Sequence, residues 1–331
     1  MAYSVDVLNS IRLEASEEYQ ARIPEATRQN IASIGQAFET YTALYNEFCE
    51  ALINKIGKTI ISQKMFENKL ARFKQGGTVS PHDVEEIFIE MAKSEGSYDK
   101  DGKNPLGRRE NPDVKVIYHR ENRKDYYAIS IGDIDFRRVF RSEDTLDVFI
   151  TGMINSVYSA DAYDEWVAMK NLLATYKTYF DYEVPAMGDD KEGFAKDMVK
   201  TLRKAVQDLS FASKDYNAAC VTTWSNPSEL VLLINKDVLV EVDVERLATA
   251  FHDSKTDLKV VPTIISMDDF GTLGDTYGLL VDKDWFRVFD TLVHMEPQRN
   301  AQGLFTNYFF HHHQILSAST FKNAVRFKKT V

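Results

Sequence analysis

The chain has 331 residues, 44% of them hydrophobic, enough to bury a sizeable core and to form more than one compact unit. Its formal net charge of −10 argues against a domain built to grip nucleic acid, because affinity for phosphates needs a basic surface, although a local basic patch stays open. No run of eighteen apolar residues could span a membrane, and Cys49 and Cys220 are too distant in sequence for a disulfide framework or a metal knuckle.

In chain order, residues 1–30 show little periodicity and read as an arm, with no apolar core of a signal peptide. From Gln29 to Ile56, Ile31, Ile34, Phe38, Tyr41, Tyr45, Phe48, Leu52 and Ile56 recur at three- and four-residue steps. That spacing predicts an amphipathic helix of about seven turns, closed by Gly57. KTIISQKMFENKLARFKQGG then reads as an extended arm ending in a turn at Gly76 and Gly77. DVEEIFIEMA, from Asp83, fits a strand or a short helix, and EGSYDKDGKNPLGRRENPD is a loop by its Gly, Asp, Asn and Pro content. VKVIYHRENRKDYYAISI predicts two short strands around a charged turn. Such a turn-rich excursion between two helices suggests a limb that packs on something else.

Between Arg141 and Tyr182, Leu146, Phe149, Ile150, Met153, Ile154, Val157, Trp166, Met169, Leu173, Tyr176 and Phe180 mark one face of a long helix, ~60 Å at the usual rise. After Pro185, Phe194, Met198, Leu202, Val206 and Leu209 give another helix and ELVLLIN a buried strand. VDVERLATAFH predicts a helix, KVVPTIIS a strand, and YGLLVDKDWFRVFDTL further strand, an α/β-type unit. LFTNYFFHHHQIL and AVRF are strands around a short helical turn at STFKN.

Three motifs imitate chemistry. NKIGKT lacks the earlier glycine of a phosphate loop, where Leu52 stands, and follows a helix, so Gly57 reads as a helix terminator. SYDKDGKNPLGR would start a calcium loop at Ser97 and end it at Arg108 in place of the bidentate glutamate. DDFG, at Asp268 to Gly271, has none of the other kinase motifs around it. Among His311, His312 and His313, strand alternation sends His312 one way and its neighbours the other. No telling third or fourth ligand accompanies them, so the expectation is rings filling a half-buried strand surface, with a pH-sensitive contact open. No catalytic, cofactor-binding or metal site is expected, and no cofactor.

One stretch resembles a known family. In Leu279 to Phe327 the points of match are VDKDWF (Val281 to Phe286), Asp290, Met295-Glu296, Arg299-Asn300, Gly303-Leu304, Asn307-Tyr308, His311, Gln314, Leu316-Ser317 and FKNAVRF (Phe321 to Phe327). Similar stretches upstream are EEIF (Glu85 to Phe88), NPDVKVIYHRENR (Asn111 to Arg123), INSVYSADAYDEW in the long helix, and LVLLINKDVLVEVDVERLATAF (Leu230 to Phe251). In this ordered series, covering nearly the whole chain, the sequence resembles the major capsid proteins of small short-tailed phages of the phi-twenty-nine group. The resemblance implies an α+β fold of the Hong Kong ninety-seven type. Its parts would be an N-terminal arm (1–30), a helix of the peripheral region (31–58), an extended loop with peripheral strands (59–140), a spine helix (141–182), an axial domain (183–300) and return strands (301–331). The C-terminal immunoglobulin-like domain of some relatives is not expected.

The implied function is a structural, non-enzymatic shell protein that self-assembles into a phage head around double-stranded DNA. The implied partners are copies of itself in hexamers and pentamers, a scaffolding protein and a portal, with little specific DNA binding and no membrane. Assembly would take place in the cytoplasm of an infected bacterium. Lys100, Lys103, Arg108, Arg109, Arg120, Arg123 and Lys124, in the charged turns of the limb, are candidates for intersubunit contacts; the alternative is ordinary solvated charge, since exposed pairs contribute only ~0–1 kcal/mol. The competing functions are an enzyme with its site in residues 183–300, or an adaptor that forms small rings.

Overall fold

The computed structural model describes residues 3–41, 44, 47–48, 51, 66–76, 83–94, 111–132, 143–242 and 263–330. The chain divides into two compact units. The first holds Met1–Ala71, Asn122–Trp166 and Asp290–Gln314, and the second Arg72–Glu121, Val167–Phe289 and Ile315–Val331.

In the first unit the N-terminal residues are folded. Helices α1 (Tyr3–Glu14), α2 (Glu17–Arg22) and α3 (Ile31–Thr40) bury Leu8, Ile11, Tyr19, Ile23, Ile31, Ile34 and Phe38 in one apolar cluster. Ser16 caps α2 by accepting from the Tyr19 N–H at 3.2 Å. The Asn9 amide clamps the Ala26 backbone in both directions (3.1 and 2.7 Å), and Arg12 donates to the carbonyls of Ile23 and Gln20. The expected weak periodicity of residues 1–30 therefore hides two short helices. Each buries too few side chains to print a stripe in the sequence, and tertiary clamps hold them.

The helix expected from Gln29 to Ile56 is interrupted. α3 ends at Thr40, with Tyr41 extended (φ −122°, ψ 90°) and its ring under the Arg22 guanidinium at 4.4 Å. Helical backbone is described again at Leu44, Glu47, Phe48 and Ala51. The weak helix formers Thr40 and Tyr41 stand at the break.

The long helix α4 spans Glu143–Thr175, 33 residues or about 50 Å, and it runs through both units. It stops seven residues before the expected end. The Thr175 hydroxyl donates back to the Asn171 carbonyl (2.8 Å), and the Tyr179 hydroxyl donates to the carbonyl of Leu173 (3.0 Å). The β-prone run Tyr176 to Phe180 then turns into strand β4, defined below, instead of continuing the helix.

Strands are numbered along the chain: β1 (Asp83–Ile89), β2 (Val114–Arg120), β3 (Arg123–Gly132), β4 (Phe180–Val184), β5 (Leu230–Asn235), β6 (Thr263–Met267), β7 (Thr276–Asp282), β8 (Phe286–Asn300), β9 (Phe305–Ala318) and β10 (Ala324–Lys329). DVEEIFI is thus a strand, pairing antiparallel with β2 from Asp83↔Arg120 to Ile89↔Val114. Although β2 and β3 flank one charged turn, they do not pair with each other. β3 pairs with β9, and the first unit's sheet runs β3-β9-β8.

The second unit holds a five-stranded sheet ordered β4-β10-β7-β5-β6, parallel at its two outer pairings and antiparallel inside. Helix α5 (Lys191–Leu209), capped by the Asp190 carboxylate on the Gly193 N–H at 2.9 Å, lays its buried face on one side of it. Met198, Leu202, Val206 and Leu209 meet Leu230, Leu232, Ile234, Leu280, Val325 and Phe327, each worth ~1.5–3 kcal/mol of burial. Gly278 is needed where β7 lies against β5, because a Cβ there would stand 3.0 Å from the Leu233 carbonyl oxygen. A short helix α6 (Lys236–Glu241) follows β5 directly. The helix expected from VDVERLATAFH lies outside the described residues, and STFKN forms a bend where a helical turn was expected.

Candidate functional site

Of the seven candidate contact residues, Lys100, Lys103, Arg108 and Arg109 lie outside the described residues. Arg120 is exposed at the end of β2, 3.8 Å from Asp83 on the paired strand. Lys124 is exposed on β3, in register with His313. Arg123 needs correction, because it is buried, with 6% of its surface exposed. Its Nε donates to Asp125 (2.6 Å), and its terminal nitrogens donate to Gln314 Oε1 (2.6 Å), the Tyr127 hydroxyl (3.1 Å) and Asp161 Oδ1 (2.8 Å). Strand alternation decides this: Arg123, Asp125 and Tyr127 share a face with Gln314, His312 and Phe310, their register partners on β9. These four bonds hold the Arg123 guanidinium inside its own chain.

Around Arg123 lies a buried polar cluster of the first unit. α4 presents Asp161 and Glu165, one turn apart on one face, and β8 presents Asp290. His312 sits between them, Nδ1 at 2.7 Å from Asp161 and Nε2 at 3.0 Å from Asp290. Burial alone would push this imidazole's pKa down, but the two carboxylates more than reverse that and hold it above its ordinary value. Gln314, fully buried, donates to Glu165 (2.5 Å) and Asp290 (2.7 Å) while accepting from Arg123. Asn68 donates to the other Glu165 oxygen at 2.9 Å, and the Tyr127 hydroxyl donates to Asp164 at 2.7 Å. Burial and Asp164 push the Tyr127 phenol upward, so it stays a donor. Carboxylates outnumber cations here, which is the electrostatic reason the protonated form of His312 is favoured. The cluster joins α4, β3, β8, β9 and the Asn68 turn.

The histidine run is therefore more than ring packing. His312 points inward as alternation requires, and there it bridges two aspartates. His311 and His313 lie on the opposite face, where Tyr126 approaches His311 at 5.9 Å between ring centroids. The sequence held a usable sign of the cluster, since Asp161 and Glu165 interrupt the apolar stripe between Val157 and Met169 at helical spacing.

A second cluster lies in the other unit. Glu86 on β1 accepts from His119 Nε2 (2.9 Å), Arg287 (2.5 Å) and the Ser319 hydroxyl (2.9 Å), and His119 Nδ1 meets the Ser317 hydroxyl at 2.7 Å. Burial would raise the Glu86 pKa, but these donors bring it down to about 2, so it is ionised at every ordinary pH. With Phe88 against Phe321 (5.4 Å between centroids) and Lys115 on the Ala219 carbonyl (2.6 Å), one face of the β1–β2 pair is fastened within its own unit. The opposite face carries Ile87, Ile89, Val114 and Val116 side by side in register, 43–62% exposed, with Tyr118 hydrogen-bonded to Glu85.

DDFG is a turn held by charge. Asp268 and Asp269 both reach Lys170 of α4 at 2.9 Å, and Asp269 accepts from the N–H of Gly271, which sits at φ +57°. The other two imitative motifs lie outside the described residues. Among the described residues no group of three or more His, Cys, Asp or Glu is arranged to hold a metal ion.

Comparison with known proteins agrees with this architecture. The family model of the Phi29-like phage major capsid protein matches residues 8–328. The major capsid protein of Bacillus phage B103 is 34% identical over 329 residues, covering 98% of this chain and 72% of its own length. That of Streptococcus phage Cp-1 is 30% identical over 348 residues, covering 97% and 93%. Among solved structures, a chain of the Staphylococcus phage Andhra capsid is similar at a TM-score of 0.65 and 12% identity, covering 82% of this chain and 86% of that one. A chain from native bacteriophage P68 is similar at 0.58 and 13%, with the same coverage. At those identities the two structures speak for the fold, which is that of tailed-phage capsid proteins. The extent of the family match and the identity to its relatives make this chain a member of the Phi29-like phage major capsid protein family, a structural protein of the phage head.

Proposed function

We propose that the chain self-assembles, in hexamers and pentamers, into the closed shell that encloses double-stranded DNA, in the cytoplasm of the infected bacterium and with a scaffolding protein and a portal as assembly partners. It performs no catalysis in this role. The observation that carries the reading is the two-sided β1–β2 pair. Its inner face is locked by Glu86, His119 and Arg287, whereas its outer face leaves Ile87, Ile89, Val114 and Val116 in water. A contiguous apolar face of that kind marks an interaction surface, and a second copy is the partner every shell supplies. Family membership supports the same partner. Many weak copies of one contact sum through multivalency.

The test is light scattering and electron microscopy on the full chain co-produced with its cognate scaffold. Closed shells or curved hexagonal sheets are expected. A uniform small oligomer, or a single ring that grows no further, would overturn the proposal.

A further inference from the structure

A recess in the second unit runs against the charge of the chain. With 40 Lys and Arg against 50 Asp and Glu, acids dominate overall, yet Arg72, Lys74, Lys283 and Arg287 converge on one concavity. Its one acidic lining residue, Asp284, sits 4.0 Å from Lys322, outside the concavity's lining. Arg287 keeps one nitrogen on Glu86, but neither Arg72 nor Lys283 meets a carboxylate among the described residues. Behind the polar lining lie apolar residues. Phe73 stacks on Phe286 with centroids 5.1 Å apart and planes at 10°, and Leu230 and Val231, at the start of β5, are buried beside it.

The walls are fixed by backbone bonds. Gln75 N–H donates to the Val288 carbonyl at 2.9 Å, and Lys283 N–H donates to the Glu229 carbonyl at 2.7 Å. Four cations against the single carboxylate of Asp284 give the concavity a positive excess, which concentrates the field toward an anion. A preorganised basic recess suits a short acidic peptide, whose carboxylates meet the cations of its lining. Duplex DNA would require a basic track along many phosphates, and this is a single confined spot.

We propose that this recess is a socket for an acidic segment of a neighbouring copy of the same chain. The proposal rests on the shell reading above and names one of its contacts. Carboxylates are the surplus charge of every copy, and this charge complementarity favours a second copy as the occupant. Arg72 and Lys283 are exposed, so reversing them leaves the fold intact.

The experiment compares the full-length wild-type chain, the Arg72→Glu/Lys283→Glu variant and the Arg72→Lys/Lys283→Arg variant, each co-produced with the scaffold. The readouts are the protein concentration at which shells form, far-ultraviolet circular dichroism, and retention of a duplex DNA fragment. The charge-reversed chain is expected to fold like wild type but to need at least roughly tenfold more protein for shells, about 1.4 kcal/mol per contact set, while the charge-preserving variant assembles normally. Arg72→Gln with Lys283→Gln gives the same reading if the reversed chain folds poorly. Shells forming at the wild-type concentration in both charge-removing variants would overturn the socket. So would normal assembly with DNA retention lost, which would make nucleic acid the occupant. If the wild type itself forms no shells, it is the shell reading that fails.

Discussion

His312 shows how much one side chain here depends on distant partners. Its folded pKa is raised above the ordinary 6.5, so the stability it contributes is fully present below about 6.5 and is lost as pH rises through the folded value. Removing one partner of a buried charged set leaves the others unpaired, at a cost of ~3–5 kcal/mol. His312→Gln is therefore expected to lower unfolding free energy by about that much at pH 6, with the gap to wild type narrowing as the pH is raised toward 9. Urea unfolding of both chains across that range measures it; a gap that stays constant with pH would show that His312 acts by packing alone. Arg123 is the matching lesson for a candidate contact. Its place in a charged turn suggested solvent, and only pairing with Gln314 across β3 and β9 shows that it points inward.

Among the elements, the β1–β2 pair carries the sharpest expectation. Its inner face is fastened by Glu86, so Ile87→Glu or Val116→Glu on the outer face is expected to change stability by no more than about 0.5 kcal/mol. The same substitutions are expected to abolish shell formation, since they place a charge in the proposed contact. Sedimentation of assembly mixtures beside thermal unfolding separates the two effects, and a variant that folds and assembles normally would remove this face from the assembly. The elements themselves were legible where the apolar pattern was strong. ELVLLIN, the α5 stripe and LFTNYFFHHHQIL all form the structures their spacing predicts. Ends were not legible, because α4 stops at Thr175 through a hydroxyl back-bond and a tyrosine from the next segment. The α1 and α2 helices were missed because their stability comes from side-chain clamps to residues in other segments rather than from local propensity.

For the whole molecule, a net charge of −10 sets how the chain meets its surroundings. A negative protein surface repels phosphate, and under the proposed role it would let enclosed DNA slide. The isolated chain is expected to bind a duplex DNA fragment no more tightly than ~10⁻⁴ M at physiological salt, the weak end of non-specific binding. Fluorescence anisotropy with a labelled duplex measures this, and micromolar binding would point to a basic face that composition conceals. The recess at Arg72 and Lys283 is a local exception to that negative charge.

By itself the sequence determined the α+β class, the order of most elements and the family, because these rest on local apolar spacing and on an ordered series of short matches along the chain. Tertiary structure alone decided which partners the buried charges have. Asp161 and His312 are 151 residues apart and Arg123 and Gln314 are 191 apart, and no local pattern encodes partners at such separations. The hydrogen-bonded register of β3 on β9, with α4 lying over that face, brings them together. An inward-facing ion is stable only where a distant segment supplies its counter-charge.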